Sequence, residues 1–575
     1  MNATFLTVQR YWHTLRYLKV RQLSARVVFK LSRPTPDVHP APALRSADRV
    51  WQRARRSPSM VGAAAFAFLN ERRELIEPSD WNNPAWPKLW LYNLHYFDDL
   101  VADDAASRQP WHQALVSRWI AENPPARGNG WEPYPTSLRI VNWIKWAQSG
   151  GGPTDEAIYS LAIQARWLTK RLEYHLMGNH LWANAKALIF AGTYFTGSEA
   201  ETWLAAGQRI LRRELTEQIL PDGGHFELSP MYHSIILEDV IDLLQLAIVY
   251  PTVVAPLLVA TLRDAASRML DWLQVMTHPD GEFSFFNDAA LGIAPTLSTL
   301  LSYAKVVDVD GGNQCLGAIT VLADSGYVRL TQGDAVLIAD VAKIGPDYLP
   351  GHAHADTLSC ELSIAGQRVL VNSGTSTYAL GPLRSAQRAT AAHNAVMVDS
   401  EDSSEVWAGF RVARRAYPYA VQCGEVSGGL RLSASHTGYE RLPGRVHHRR
   451  EWVLGAGRLA VVDQLDGGYA IAQGFWHFHP AIVVKDGHRA DGVDVVEPIR
   501  LRVDCDGATA ATCDDHWFPA FGVSTPANTL VLTFTQDRCE TVFTWEFASD
   551  ACDDADGSTT RGIDAINAPL LAGLH

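Results

Sequence analysis

Tyr327-Val328-Arg329-Leu330, the turn Gln332-Gly333-Asp334 and the run Ala335–Val341 mark the point where this chain changes period. Ahead of them apolar residues recur at helical spacing. After them apolar residues alternate, as on a half-buried strand. Upstream, one stripe is Leu204, Ile210, Leu211, Leu215 and Ile219, another is Met231, Ile235, Val240, Leu243, Leu244 and Ala247, and a third runs over 257–273. Gly150-Gly151-Gly152-Pro153, Pro221-Asp222-Gly223-Gly224 and His278-Pro279-Asp280-Gly281 separate such stripes, as helix-ending turns do. The pattern predicts helical hairpins stacked as a toroid or solenoid. Downstream, 358–364, 369–371, 396–398, 459–462 and 529–534 read as strands, which predicts an antiparallel sandwich of two sheets. At 575 residues the chain is too long for one ordinary core. The expected class is α+β multidomain: a helical extension over 1–85 with an Ala-rich run at 63–67, a helical domain over 86–325, and a β domain over 326–575.

Composition narrows the function. Fifty Lys and Arg against 62 Asp and Glu give a net charge of −12, which argues against a nucleic-acid partner. It leaves room for a polyanion, because a cleft can be basic on an acidic protein. The 19 Trp, 18 Tyr and 19 Phe are core residues for the most part, and aromatic rings also stack on sugars. Seven cysteines without a CxxC unit suggest neither a disulfide framework nor a zinc ribbon. The N-terminus lacks an unbroken apolar signal core, and no run is long enough to span a bilayer. The expectation is a cytoplasmic protein by default, with non-classical export open, and no membrane partner. The oligomeric state is not legible.

Four segments carry candidate chemistry: Gly178-Asn179-His180-Leu181, Ser229-Pro230-Met231-Tyr232-His233, Gly351-His352-Ala353-His354-Ala355-Asp356, and Thr390-Ala391-Ala392-His393-Asn394. Two histidines at i and i+2 in an extended segment point to one side and can share a task, such as a metal ligand beside a proton-transfer group. Amide, tyrosine and paired histidines together suggest a lyase acting on an acidic sugar. Each residue also has a bland reading: a capping Asn, a packed His, a core Tyr.

These segments, with Phe226-Glu227 ahead of Tyr232, Tyr92-Asn93-Leu94-His95-Tyr96-Phe97 and 131–143, resemble the heparinase II/III superfamily of polysaccharide lyases, in the expected order from about 85 to about 420. The chain looks most like the broad-specificity glycosaminoglycan lyases of polysaccharide lyase family 35. The resemblance implies an incomplete (α/α) toroid followed by an antiparallel β-sandwich. It also implies β-elimination, in which a uronic acid loses its C5 proton and expels the C4 oxygen. The carboxylate must be neutralised, a base must take the proton, and an acid must protonate the leaving oxygen.

By that resemblance Asn179 neutralises the carboxylate, His180 assists, Tyr232 is the acid/base tyrosine and His352 the catalytic histidine. Syn elimination would let Tyr232 do both proton transfers; anti elimination would divide them with His352. His354 and His393 match ligands of a divalent metal, Mn or Zn, with Asn372 where the family has an aspartate. An amide oxygen is a weaker ligand than a carboxylate, so loose binding, Mn²⁺ in place of Zn²⁺, or no metal are all open, with Asp356 a substitute carboxylate. Arg388, Trp407 and Arg411 are candidates for binding the polyanion.

The expected substrate is an acidic polysaccharide: hyaluronan, chondroitin sulfate, heparan sulfate or alginate. Alternatives are a toroid glycoside hydrolase, which needs two carboxylates with Glu132, Glu227 and Asp222 as candidates, a uronate C5-epimerase, and a non-catalytic carbohydrate-binding protein.

Overall fold

The computed structural model describes residues 3–489, 492–495 and 499–546. Two helices, α1 (Ala3–Leu15) and α2 (Val20–Leu31), open the chain. Residues 32–64 then run over the body with little regular structure, and they are tied down by backbone bonds such as Arg45 N to Tyr194 O and Trp51 N to Gln148 O. The Ala-rich run at 63–67 is not helical. Ala65–Phe68 pairs antiparallel with Glu71–Glu74, because Leu69 and Asn70 both take positive φ and close a tight hairpin.

Nine helices follow: α3 (Lys88–Tyr96), α4 (Gln109–Glu122), α5 (Pro133–Gln148), α6 (Asp155–Thr169), α7 (Gly178–Tyr194), α8 (Ser198–Gln218), α9 (Pro230–Val249), α10 (Pro256–Val275) and α11 (Leu297–Val306). They form the incomplete (α/α) toroid. Its core holds fully buried Trp81, Trp90, Trp119, Trp182 and Trp272, and burying an aromatic of this kind contributes roughly 1.5–3 kcal/mol. Helices α7 and α8 approach closely at Gly192, where a Cβ would stand 2.4 Å from Leu204 N.

The β domain begins at Ile319. A five-stranded antiparallel meander (Ile319–Leu322, Tyr327–Gln332, Ala335–Asp340, Cys360–Ile364, Gln367–Leu370) packs with an eight-stranded and a four-stranded sheet. The expected two sheets are therefore three larger ones. Leu337, Leu362, Leu432, Trp452, Trp476 and Phe543 share the core between them. The last two strands of the meander are joined at Ala365-Gly366, both at positive φ. A short helix, α12 (Pro382–Arg388), follows the meander.

One irregularity places the site. Between Ala335–Asp340 and Cys360–Ile364 the chain leaves the sheet for residues 341–359. That loop reaches the helical domain, where Asp288 N donates to His352 O at 2.9 Å.

Candidate active site

Two helix N-termini, α7 and α9, open into a cleft of about 1020 Å³ between the domains. Ser229 caps α9, its hydroxyl accepting from Tyr232 N at 3.2 Å, and Pro230 occupies the first turn. This fixes Tyr232 in the first turn, facing the cleft. Asn179 follows Gly178 at the start of α7. Gly178 has φ +54°, and a Cβ there would stand 2.2 Å from Leu349 and 3.0 Å from Glu227 Oε1, so the tight entry requires glycine. The positive ends of both helix dipoles favour an anion in this space.

Asn179 lines the cleft, and its side-chain amide makes no hydrogen bond among the described residues. Its backbone N–H donates to Glu227 Oε1 at 3.4 Å. His180 also lines the cleft, packs on Tyr134 with ring centroids 4.6 Å apart, and shares a hydrogen bond through Nδ1 with Glu173 Oε1 at 3.1 Å. Burial alone would lower the His180 pKa, but the Glu173 carboxylate outweighs it and holds the imidazole above its ordinary value. A His180 whose charged form Glu173 favours, beside a free amide, is suited to meet a carboxylate.

Tyr232 and His352 come from different domains and lie face to face, ring centroids 3.9 Å apart. The Tyr232 hydroxyl shares a hydrogen bond with the Tyr378 hydroxyl at 3.1 Å. Burial, and then the neighbouring Tyr378, push Tyr232 well above the usual phenol range, so it stays protonated. His352 Nδ1 donates to Asp288 Oδ2 at 2.9 Å. That bond leaves Nε2 as the basic nitrogen, 3.5 Å from Glu227 Oε2. Glu227 is fully enclosed, and burial raises its pKa.

Asp288 is the organiser that the sequence reading missed. Its carboxylate receives both Arg384 guanidinium nitrogens (Nη2 at 2.7 Å), His352, His354 Nε2 at 2.9 Å and the Thr375 hydroxyl at 3.3 Å. Burial opposes ionisation, yet Arg384 and the two histidines hold it well below the usual carboxylate range. No motif in Phe285-Phe286-Asn287-Asp288 marks this role. The one usable signal was Arg384, an arginine near the histidine segments.

The expected metal ligands are close together but do not form a ligand set. His354 Nδ1 faces His393 Nε2 at 3.2 Å, while Asn372 Oδ1 lies 3.2 Å from Nδ1 on the far side of the His393 ring. Asn372 Nδ2 is buried without a partner among the described residues. Asp356 points elsewhere, accepting from Asn287 N at 2.9 Å. No three His, Cys, Asp or Glu converge on a metal-sized site among the described residues. These donors therefore do not fit a Mn or Zn centre. His354 gives its Nε2 proton to Asp288 and His393 its Nδ1 proton to Asn372 Oδ1, so the two facing nitrogens carry lone pairs with no third His, Cys, Asp or Glu beside them among the described residues; burial lowers His354 to about 4, a neutral imidazole.

The three expected polyanion contacts lie outside the cleft. Arg388 is buried and donates to Ala353 O. Trp407 and Arg411 pack on Tyr11 of α1, Trp407 at 4.9 Å between centroids. Between them Phe410 does reach the cleft. The lysines and arginines that line the cleft are Arg56, Lys88, Lys145 and Lys186. Each is already paired: Arg56 with Glu238 (2.7 Å), Lys88 with Glu132 (2.7 Å), Lys145 with Asp242, and Lys186 with Asp239 and Asp242 (both 2.5 Å). Of the hydrolase candidates, Asp222 is tied to Ser325 and the Asp324 backbone, and Glu132 to Lys88 and Tyr92.

Comparison with known proteins agrees with this architecture. The family model described as "Heparinase II/III N-terminus" matches residues 153–309, and "Heparinase II/III-like, C-terminal" matches 316–546. A heparin-sulfate lyase of Bacteroides stercoris is 27% identical over 251 residues, covering 40% of this chain and 37% of that enzyme. The chain thus matches a little over a third of that relative's length. The FtsZ-localized protein C of Caulobacter vibrioides is 27% identical over 415 residues, covering 68% of this chain and 66% of that protein. A crystal structure of heparinase III superposes with a TM-score of 0.64 at 20% identity, covering 79% of this chain and 77% of that one. With both family segments matched in order across the two domains that build the cleft, the chain belongs to the heparinase II/III superfamily.

Proposed function

We propose that this protein is a polysaccharide lyase that cleaves uronic-acid-containing glycosaminoglycans by β-elimination, within the broad-specificity group its sequence resembles. The observation that carries the reading is the pairing of a protonated Tyr232 with a His352 whose Nε2 is left basic, beside an amide with no partner among the described residues.

Asn179 and His180 take the uronate carboxylate and lower the cost of charge building up at C5. His352 Nε2 removes the C5 proton, the C–H electrons form the C4–C5 double bond, and the C4–O bond breaks. The Tyr232 hydroxyl gives its proton to the departing oxygen, and Tyr378 at 3.1 Å is placed to return one. Asp288 fixes the His352 tautomer and stabilises the imidazolium that forms. No step needs a metal.

The substrate is a uronate chain of modest charge density, since every cation lining the cleft is already neutralised. Ultraviolet absorbance of unsaturated uronate, followed over hyaluronan, chondroitin sulfate, heparan sulfate and alginate, tests the reading. A rise identifies a lyase and its substrate. A flat trace with new reducing ends replaces it with a hydrolase.

A further inference from the structure

The two amino-terminal helices have faces that the proposed chemistry does not use. Residues 1–33 hold seven of the chain's 50 Lys and Arg and none of its 62 acids. Among the described residues only Arg10 and Lys19 of those seven pair with a carboxylate, Glu405 and Glu217. The same segment exposes apolar side chains at helical spacing. On α1 these are Val8, Trp12 (66% exposed) and Leu15; on α2 they are Val20 (82%), Leu23, Val27 and Leu31 (76%). Positions i, i+4, i+7 on one helix and i, i+3, i+7, i+11 on the other place each set along a single stripe. A run of apolar residues left in water beside unpaired cations, on an otherwise acidic protein, calls for an occupant.

Other side chains of both helices and of the segment between them are docked on the body. Thr14 accepts from Trp407 Nε1 at 3.2 Å, and the Tyr17 and Tyr417 hydroxyls share a hydrogen bond at 3.1 Å. Gln22 donates to Tyr348 O at 3.3 Å, and Arg171 lies 3.6 Å over the Phe29 ring. The exposed stripes are therefore the outer face of a fixed element. With 13 and 12 residues, neither helix can cross a bilayer, which takes about 20 residues. A helix with an apolar stripe and basic flanks lies in the plane of an interface.

We propose that these two helices dock the protein on the surface of an anionic lipid bilayer, with the α1 and α2 stripes entering the headgroup region and Arg16, Arg21, Arg26, Lys30 and Arg33 meeting lipid phosphates. Charge selects this occupant over a second copy of the chain, because two such cationic faces repel each other. The expectation of no membrane partner rested on spanning length, which an interfacial helix does not need. Helix α1 also holds Trp407 and Arg411, which flank Phe410 at the cleft. Lipid binding would thus present the cleft to polysaccharide at a membrane surface.

The test is sedimentation of the full chain with phosphatidylcholine vesicles, with and without one quarter phosphatidylglycerol. Binding is expected to rise about tenfold or more with the anionic lipid and to fall as salt is raised. Val27→Glu with Leu31→Glu, and separately Arg26→Glu with Lys30→Glu, should each reduce it about tenfold at unchanged Tm, since all four side chains are exposed. Equal binding to both vesicles, binding that survives both double variants, or a wild-type dimer that the Val27→Glu/Leu31→Glu variant converts to monomer would overturn the proposal.

Discussion

The two ends of the cleft are built on opposite rules. At one end Asn179 keeps its amide unpaired and His352 keeps a basic nitrogen. At the other, Lys145, Lys186, Asp239, Asp242 and Tyr303 satisfy one another, with Tyr303 donating to Asp242 at 2.6 Å; burial alone would raise Asp242, but the two lysines draw it down to about 2. A polar group held near the substrate without a protein partner is available for chemistry. A closed ion network is structural, and it has little charge to spare for a ligand.

Substitutions at the two ends should therefore fail in different ways. Tyr232→Phe removes the proposed proton donor and should lower kcat by about 10²–10⁴ with Tm unchanged; near-normal turnover would take Tyr232 out of the mechanism. Lys186→Met should instead destabilise the fold by roughly 3–5 kcal/mol, because it strands buried carboxylates; denaturant titration measures this, and a loss confined to kcat would erase the contrast. Asn179→Ala should cost roughly 2.7–4 kcal/mol of transition-state stabilisation, seen in kcat; a change in KM alone would assign it only to binding. Unsulfated chains should be turned over about tenfold faster than heavily sulfated ones, a gap of ~1.4 kcal/mol, and a preference for the most sulfated chain would show that the paired cations are recruited by substrate. The smallest expected effect is that of a chelator: after EDTA dialysis, Tm and activity should stay the same, because no third His, Cys, Asp or Glu joins His354 and His393 among the described residues. A drop in either would establish a metal there.

The change of period near 325 was legible, since a helix and a strand place apolar residues at different intervals and each must bury one face. The third large sheet was not, because alternation identifies a strand but not its partners. The hairpin at Ala65–Glu74 was hidden by alanine, a helix former that the turn at Leu69-Asn70 overrides. At the site, Asn179, His180, Tyr232 and His352 all reach one cleft. Arg388, Trp407 and Arg411 do not, because charge and aromaticity say nothing about whether a side chain faces a cleft, a carbonyl or another helix. Asp288 was invisible because its role depends on four residues between 64 and 96 positions away along the chain, His352, His354, Thr375 and Arg384.

Asp288 is supplied by the helical domain, and those four partners belong to the β domain. The carboxylate that aims the proposed base is therefore also a latch between the two halves of the molecule. Heat that loosens the domain junction would disorient His352 before either hydrophobic core melts. Inactivation should then run ahead of unfolding on a temperature ramp, with the enzyme lost while its helices and sheets persist.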